Sequence, residues 1–197
     1  KYVTLSLLTL MEIDCVNNNK LLKPIIFKSK KIISKSDLQI TLDNSCNIVS
    51  LNQNQEKSKK FKNLFKNYFL FEPPKISELN IKKKYLAFWV RSNSFFIIGE
   101  FNLKDLKSVF SSTAFMTDQT GGWISIQIEG KASKKIFEKL ITLNLDQFIK
   151  GKVIRTSINK VNCFVLCENQ FYKYTIICPI SYHENLQKRL LSLVDLI

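Results

Sequence analysis

The clearest pattern in the sequence is a strict alternation of hydrophobic and polar positions. In Trp123–Glu129, three isoleucines alternate with Trp123 and three polar residues, which is the period of a strand with one buried face. Residues 38–42 show the same alternation and predict a second strand of this kind. Two apolar runs, Tyr85–Val90 and Ser94–Ile98, flank a short polar turn, so together they predict an antiparallel hairpin.

A helical period replaces this alternation in four other segments. In each of them hydrophobic residues recur three and four positions apart, which gives a helix one apolar face. The predicted helices cover residues 53–68, 103–110 with Asn102 as N-cap, 131–142, and a last segment that begins at Ser181. In the first of them the apolar face is formed by Phe61, Leu64, Phe65 and Tyr68.

The remaining predicted strands are short. They lie at residues 48–51, 115–120, 153–157, 161–166 and 172–177. Two polar and lysine-rich segments, residues 29–35 and 75–84, are interpreted as connections without regular structure. Helices therefore alternate with pairs of strands rather than with single strands.

This order of elements predicts an α+β fold. We expect two related β-α-β-β lobes of ferredoxin-like form, each with an antiparallel sheet. The predicted division is an N-terminal extension at residues 1–45 and a main domain at 46–197, with lobes at about 46–120 and 121–197.

Composition excludes several classes of protein. No run of about 18 apolar residues occurs, so the sequence predicts no membrane-spanning helix. The apolar run Tyr2–Leu10 has Lys1 as the one basic residue before it and no small-x-small cleavage site after it, so it is interpreted as a buried strand or helix rather than a secretory signal. The five cysteines form no C-x-x-C pair and are interpreted as small buried hydrophobes, so we expect a cytoplasmic protein.

The formal net charge of +14 raises the question of nucleic-acid binding. Only Arg91, Arg155 and Arg189 are arginines, and the lysines are scattered along the whole chain. A surface that reads phosphates and bases usually favours the forked guanidinium of arginine. Nucleic-acid binding is therefore not the favoured interpretation.

Residues that could perform catalysis are few. His183 is the single histidine, and Asp118, Glu129 and Asp146 are the acidic residues placed at the ends of predicted elements. His183 stands beside Glu184 but has no nucleophile nearby, so it is interpreted as a surface or cap residue. None of the three acidic residues has a histidine or a second acid nearby in the sequence, so each is interpreted as a cap or turn residue. No glycine-rich phosphate loop or metalloprotease motif occurs. The sequence thus predicts no catalytic, cofactor-binding or metal-binding residue in this chain.

Aromatic residues make up 12% of the sequence, and such residues fill cores and protein interfaces alike. Trp89 is expected in the core. For Trp123, core and interface remain equally open.

Several short segments, in a fixed order, resemble the gamma-subunit family of heterotetrameric sarcosine oxidase. They are Phe71-Glu72-Pro73-Pro74, the block 89–98, Thr117-Asp118-Gln119-Thr120, the block 126–132, Leu145-Asp146-Gln147-Phe148 followed by residues 151–156, and the closing segment 177–182. The family usually has Gly-Pro-Asp-Glu-Trp-Leu-Leu in the second block, which this chain replaces. The architecture also resembles the folate-binding domain of the glycine-cleavage T-protein.

The resemblance implies a non-catalytic subunit of a complex that oxidatively demethylates sarcosine. Alpha, beta and delta subunits would be its partners and would hold FAD, FMN, NAD, tetrahydrofolate and zinc, while this chain would hold no cofactor. T-protein relatives carry an acidic residue where this chain has Asn144, and an amide cannot act as a general base. Whether the chain itself takes part in catalysis stays open, although the amide argues against it.

Two residues are predicted at the subunit interface, Arg155 and Trp123. Arg155 stands at a position that the family also fills with arginine, and pairing with a carboxylate of its own lobe is the alternative. Other interpretations of the whole chain are the gamma subunit of a related N-methyl amino acid dehydrogenase, a T-protein-like folate-dependent enzyme, and an RNA-binding protein of the same fold.

Overall fold

Two antiparallel sheets form the framework of the protein. The computed structural model describes residues 29–196, and within that range eleven strands are divided between a six-stranded and a five-stranded sheet. The strands are β1 Lys30–Lys35, β2 Leu38–Asp43, β3 Asn47–Gln53, β4 Leu79–Lys82, β5 Tyr85–Arg91, β6 Ser94–Gly99, β7 Ala114–Asp118, β8 Trp123–Glu129, β9 Val153–Ile158, β10 Val161–Asn169 and β11 Lys173–Pro179.

The spatial order of the strands differs from their order in the chain. The six-stranded sheet runs β1-β2-β8-β11-β10-β9, and the five-stranded sheet runs β4-β5-β6-β3-β7. All neighbouring strands are antiparallel. Strand β2 therefore belongs to the same sheet as β8, although the whole five-stranded sheet lies between them in the chain.

Four α-helices cover the outer faces of the two sheets in the described part of the chain. They are α1 Ser58–Phe69, α2 Leu103–Phe110, α3 Ser133–Leu140 and α4 His183–Val194, and short 3-10 turns precede α1 and α4. Helices α1 and α2 pack on the five-stranded sheet, and α3 and α4 pack on the six-stranded sheet. The Asn102 side chain accepts a hydrogen bond from the backbone N–H of Lys104 at 2.9 Å, so the predicted N-cap of α2 is confirmed.

The alternation seen in the sequence corresponds to burial. Ile124, Ile126 and Ile128 of β8 are fully buried beneath α3 and α4, while the residues between them are half-buried on the opposite face. Strand β2 repeats this pattern with Leu38, Ile40 and Leu42. The side-chain period of two thus assigns one face of each strand to the helices.

Phenylalanine rings fill the core between α1, α2 and the five-stranded sheet. Phe61, Phe65 and Phe69 of α1 are fully buried, and the Phe69 ring stacks on Phe110 of α2 with centroids 5.9 Å apart. The predicted face of this helix is right for Phe61 and Phe65. Its Leu64 and Tyr68 are only partly buried, because the buried stripe follows a spacing of four residues and continues to Phe69.

The inner faces of the two sheets pack against each other through a third core. This inter-sheet core consists of Ile48, Leu79, Phe88, Phe96, Val153, Phe164, Leu166 and Ile177. The Phe164 ring of β10 lies 5.3 Å from the Phe88 ring and 5.9 Å from the Phe96 ring, between centroids. Each sheet therefore has one face against helices and one face against the other sheet.

Two connections predicted from the sequence are strands instead. Residues 29–35 contain β1, which pairs with β2, and residues 75–84 contain β4, which pairs with β5. Both are edge strands, so backbone hydrogen bonds on one side stabilise them although their side chains are mostly exposed. Strand β1 has two adjacent isoleucines and no alternation, and in β4 the alternation of Leu79 and Ile81 with polar residues spans only four positions.

The predicted fold class is confirmed. Each lobe contains a strand, a helix, three further strands and a second helix, with antiparallel pairing throughout. The predicted domain division stays a prediction, and β1 and β2, which it assigns to the N-terminal extension, pair within the sheet of the second lobe. The predicted element Tyr2–Leu10 lies outside the described residues.

The helices of residues 29–196 are short, and the longest of them, α1 and α4, have 12 residues each. No helix in that range is long and apolar enough to cross a membrane.

A glycine at the end of β8 allows the close approach of the β1–β2 turn. The φ angle of Gly130 is +128°, and a Cβ atom on it would overlap the Asp37 carbonyl group and lie 3.0 Å from Leu38 Cα. We expect Gly130→Ala to lower the free energy of unfolding by at least about 2 kcal/mol in urea denaturation. Gly122→Ala is the matched control, because φ is not positive there and the nearest atom would be 3.4 Å away. Equal stability of the two variants would show that the turn tolerates a side chain at position 130.

Removal of the Phe164 ring should weaken the packing of the two sheets. We expect Phe164→Ala to lower the free energy of unfolding by about 3–5 kcal/mol, since a buried ring leaves a cavity between rigid sheets. Phe115→Ala is the control, because 76% of that side chain is exposed, and it should change stability by no more than about 0.5 kcal/mol. Urea denaturation followed by tryptophan fluorescence measures both. A loss below about 1 kcal/mol for Phe164→Ala would show that the sheets do not depend on this ring.

Candidate partner-binding surface

The single histidine participates in the start of the last helix. His183 is the first residue of α4, and its Nδ1 lies 2.6 Å from the carbonyl oxygen of Ile180 in the preceding turn. The ring therefore contacts the turn that precedes the helix, while the N-cap residue of α4 is Tyr182, which makes no side-chain capping hydrogen bond.

The three acidic residues considered for catalysis each take part in a local interaction. Asp118 Oδ1 accepts a hydrogen bond from the Thr120 backbone N–H at 2.9 Å, and closes the turn after β7. Asp146 lies 3.4 Å from the Lys134 ammonium, and Glu129 lies 3.9 Å from that of Lys173. Their interactions are those of turn residues and surface ion pairs.

Asn144 occupies an exposed turn after α3. Its side-chain oxygen accepts a hydrogen bond from the Asp146 backbone N–H at 3.0 Å, and its carbonyl oxygen accepts one from Gln147 N–H at 3.2 Å. The amide that replaces the acidic residue of T-protein relatives thus forms a local turn.

The cysteines of the described range are single thiols rather than a metal site. Cys163, Cys167 and Cys178 are buried in the core beneath α3 and α4. Burial raises the pKa of Cys163 and of Cys167 to about 11 and raises the pKa of Cys178 still further, so these thiols are protonated at neutral pH. Cys46 is half-buried, and its pKa is raised by burial and by Asp43. Residues 29–196 contain no group of three or more histidine, cysteine or acidic residues that could hold a metal ion.

The two residues predicted at an interface contact the same buried ring. The Arg155 guanidinium lies 5.8 Å from the centroid of Phe164, and the Trp123 ring lies 5.8 Å from it as well. Arg155 is exposed on β9, which is an edge strand, while Trp123 is half-buried at the start of β8. The structure thus brings both residues to the border of the inter-sheet core.

Their polar groups differ in what they contact. The Trp123 Nε1–H donates to the side-chain oxygen of Gln119 at 3.3 Å, so its hydrogen-bonding capacity is used within the chain. No carboxylate of the described residues lies within 4 Å of the Arg155 guanidinium. The alternative of an ion pair inside its own lobe is thus not observed over residues 29–196, and the interface role of both residues stays a prediction.

An open groove lies between the turn after β5 and the segment after α1. It has a volume of about 650 Å³, and its walls include Pro73, Pro74, Ile76, Trp89 and Phe95. Ile76 is 73% exposed, so part of this apolar wall faces solvent. Two segments that carry the family resemblance, Phe71-Glu72-Pro73-Pro74 and the block 89–98, come together here. The groove could not be predicted from the sequence, because its walls come from separate parts of the chain.

A smaller cleft of about 170 Å³ lies between the two sheets, beside the inter-sheet core. Ser125, Gln127 and Thr175 form its polar side, and Leu86 and Ile98 belong to its apolar side. The Thr175 hydroxyl donates to Glu168 at 2.5 Å, and the Ser125 hydroxyl donates to the carbonyl oxygen of Asp43 at 2.9 Å. The Ser125 and Thr175 hydroxyls of this cleft therefore bind other groups of the chain, and their hydrogen bonds join β8 to β2 and β11 to β10.

Comparison with known proteins gives a likeness of fold. Neither the family models nor the curated proteins include a match to this chain. Among the solved structures, 27 chains match. One of them belongs to the heterotetrameric sarcosine oxidase from Corynebacterium sp. U-96, solved in complex with pyrrole 2-carboxylate.

That match extends over most of both chains. It has a TM-score of 0.67 and covers 83% of this chain and 87% of that chain, at 14% sequence identity. The two shares are close, so the matched chain is similar to this one in length. At this identity the likeness shows a shared fold and nothing finer.

Proposed function

We propose that the chain is the small, non-catalytic gamma-type subunit of a heteromeric complex that oxidises sarcosine or a related N-methyl amino acid. The observation that carries the proposal is the fold match to a chain of heterotetrameric sarcosine oxidase, over 83% of this chain and 87% of that one. A match over most of both chains is expected of corresponding subunits, and less of a domain shared with a larger enzyme. The order of the resembling segments in the sequence supports the same assignment.

The roles of the polar residues support a non-catalytic subunit. His183, Asp118 and Asn144 each form a turn or a helix start, and Cys163, Cys167 and Cys178 are buried thiols of raised pKa. In this proposal FAD, FMN, NAD, tetrahydrofolate and zinc belong to the alpha, beta and delta subunits. This chain would stabilise the assembly by burying the surface of its partners.

The exposed apolar surface fits such a role. Phe115, Ile76 and Leu196 are each more than 60% exposed, and Ile81 and Ile149 are about half exposed. Large apolar side chains are enriched in interfaces, whose stable obligate forms bury more than about 2,000 Å². The groove beside Ile76 and Trp89 would contribute one part of this surface, and the border around Arg155 and Trp123 another.

Purification from its own cells tests the proposal. We expect the tagged full-length chain to bring down a larger chain together with flavin absorbance, and the preparation to oxidise sarcosine or another N-methyl amino acid. A strain that expresses the tag alone is the control. A colourless protein without partners would contradict the proposal, and titration with tetrahydrofolate and with RNA would then test the T-protein-like and RNA-binding alternatives. Activity with a different N-methyl amino acid would favour the related dehydrogenase.

Arg155 should matter more for assembly than for stability. We expect Arg155→Ala to change the free energy of unfolding of the isolated chain by less than about 1 kcal/mol, since its contact with Phe164 is an exposed cation–π interaction. In the complex, loss of a desolvated charge pair should weaken binding by about 2–5 kcal/mol. Arg189→Ala, at an exposed position of α4, is the matched control.

The measurement is the dissociation constant of each variant for its partner subunits. Equal affinity of the Arg155→Ala and Arg189→Ala variants would show that Arg155 is not part of the interface. The proposed function itself would not be contradicted by that result.

A further inference from the structure

The two lobes of the structure are repeats of one another. The order β4-β5-β6-β3-β7 in the five-stranded sheet corresponds to β9-β10-β11-β8-β2 in the six-stranded sheet, and all pairs are antiparallel in both. Helices α1 and α2 follow β3 and β6, just as α3 and α4 follow β8 and β11. Strands β2 and β7 are therefore equivalent.

In strand pairing, although not in chain order, the repeat is complete except at one place. In the six-stranded sheet, strand β1 pairs with the outer edge of β2. Because β2 is equivalent to β7, this edge corresponds to the outer edge of β7 in the five-stranded sheet. Among residues 29–196, no strand pairs with β7 on the side away from β3. Over that range the five-stranded sheet therefore lacks the counterpart of β1.

The direction of the β7 backbone groups follows from its pairing with β3. The Thr113 carbonyl accepts a hydrogen bond from Asn54 N–H, and the Gln119 N–H donates to the Ile48 carbonyl, at either end of the ladder. In an antiparallel ladder these hydrogen-bonded positions recur every second residue. The odd-numbered residues of β7 thus bind β3, and Ala114, Met116 and Asp118 direct their N–H and C=O groups toward the outer edge.

Strand β7 lacks the lysines that protect the equivalent edge, and its one charged residue is Asp118 at its end. Strand β1 carries Lys30, Lys31 and Lys35, and lysine on an edge strand is a common means of preventing further strand pairing. Strand β7 has no lysine, and its Phe115 is 76% exposed. The edge thus combines outward-directed backbone groups with an apolar side chain, as in sheets that accept an additional strand.

We propose that the outer edge of β7 binds an extended segment of an acidic partner protein, which pairs as the counterpart of β1. The inference rests on the proposed function, in that this partner is another subunit of the same complex. The net charge of +14 favours an acidic partner over a second copy of this chain, because two copies repel. Helix α2 packs against β7 and carries exposed Lys104 and Lys107 with one acidic residue, Asp105, while β7 itself ends in exposed Asp118.

Hydrogen exchange of single backbone amides tests the pairing directly. The purified complex is compared with the full chain alone. We expect the Met116 amide to exchange at least about tenfold more slowly in the complex, since it gains a hydrogen-bond acceptor. The Phe115 and Thr117 amides already bind β3 and should change little. This alternation distinguishes strand pairing from general coverage of the surface, which would protect all three amides together.

Variants at the same position provide a second test. Met116→Pro removes the outward N–H and should abolish copurification of one partner chain, while Met116→Ala keeps that N–H and should retain the partner. Circular dichroism checks that both variants fold. Phe115→Lys leaves the backbone pairing with β3 in place and should also lose the partner. This variant replaces Met116→Pro in the test if the proline variant does not fold.

The outcomes separate this inference from the proposed function. If the wild-type chain copurifies with flavin-containing subunits but Met116 gains no protection and the variants keep every partner, the β7 inference is overturned and the proposed function stands. If the wild-type chain instead forms a dimer by sedimentation and Met116→Pro abolishes it, the occupant is a second copy, and the acidic partner is overturned. If the tagged chain copurifies with no other protein and sediments as a monomer, both proposals are overturned.

Discussion

The packing of the two sheets against each other is the interaction on which the rest of the structure depends. Helices cover only one face of each sheet, so the other faces must be buried together, and Phe164 lies where they meet. Its ring contacts Phe88 and Phe96 of the opposite sheet and Trp123 and Arg155 of its own. Because the inner faces are occupied in this way, surfaces for partners remain at the sheet edges, in the groove beside Trp89 and on the outer helix faces.

The elements that bury one full face could be predicted from the sequence. The alternation in β8 and the apolar stripe of α1 reflect the burial of Ile126 and Phe65, so the pattern and the structure agree. Strand β1 could not be predicted in this way, since this edge strand is stabilised by backbone hydrogen bonds and has no buried side chain. In β4 the alternation is only four residues long and buries only Leu79, which is too little for a prediction. The pairing of β2 with β8 joins distant parts of the chain and leaves no local signal.

The candidate site could likewise be predicted only in part. Arg155 and Trp123 could be selected from residue type and resemblance, but their common contact with Phe164 follows only from the register of β9 with β10 and from the packing of Trp123. The exposure of Phe115 also required the structure. Its apolar neighbours predict a strand, and nothing in them shows that this strand ends a sheet.

The position of β2 in the chain affects how the protein can fold during synthesis and whether its two lobes can be expressed separately. The Ser125 hydroxyl binds the carbonyl oxygen of Asp43 across 82 residues, and β2 is synthesised before the first lobe but pairs across the sheet with β8. On the ribosome, β2 must therefore remain without β8 until the whole first lobe has emerged. No single cut of the gene separates the lobes, because any break between them deprives the second sheet of its second strand. A circular permutant that moves residues 30–43 behind α4 would make each lobe continuous, as in a tandem duplication of one ancestral unit.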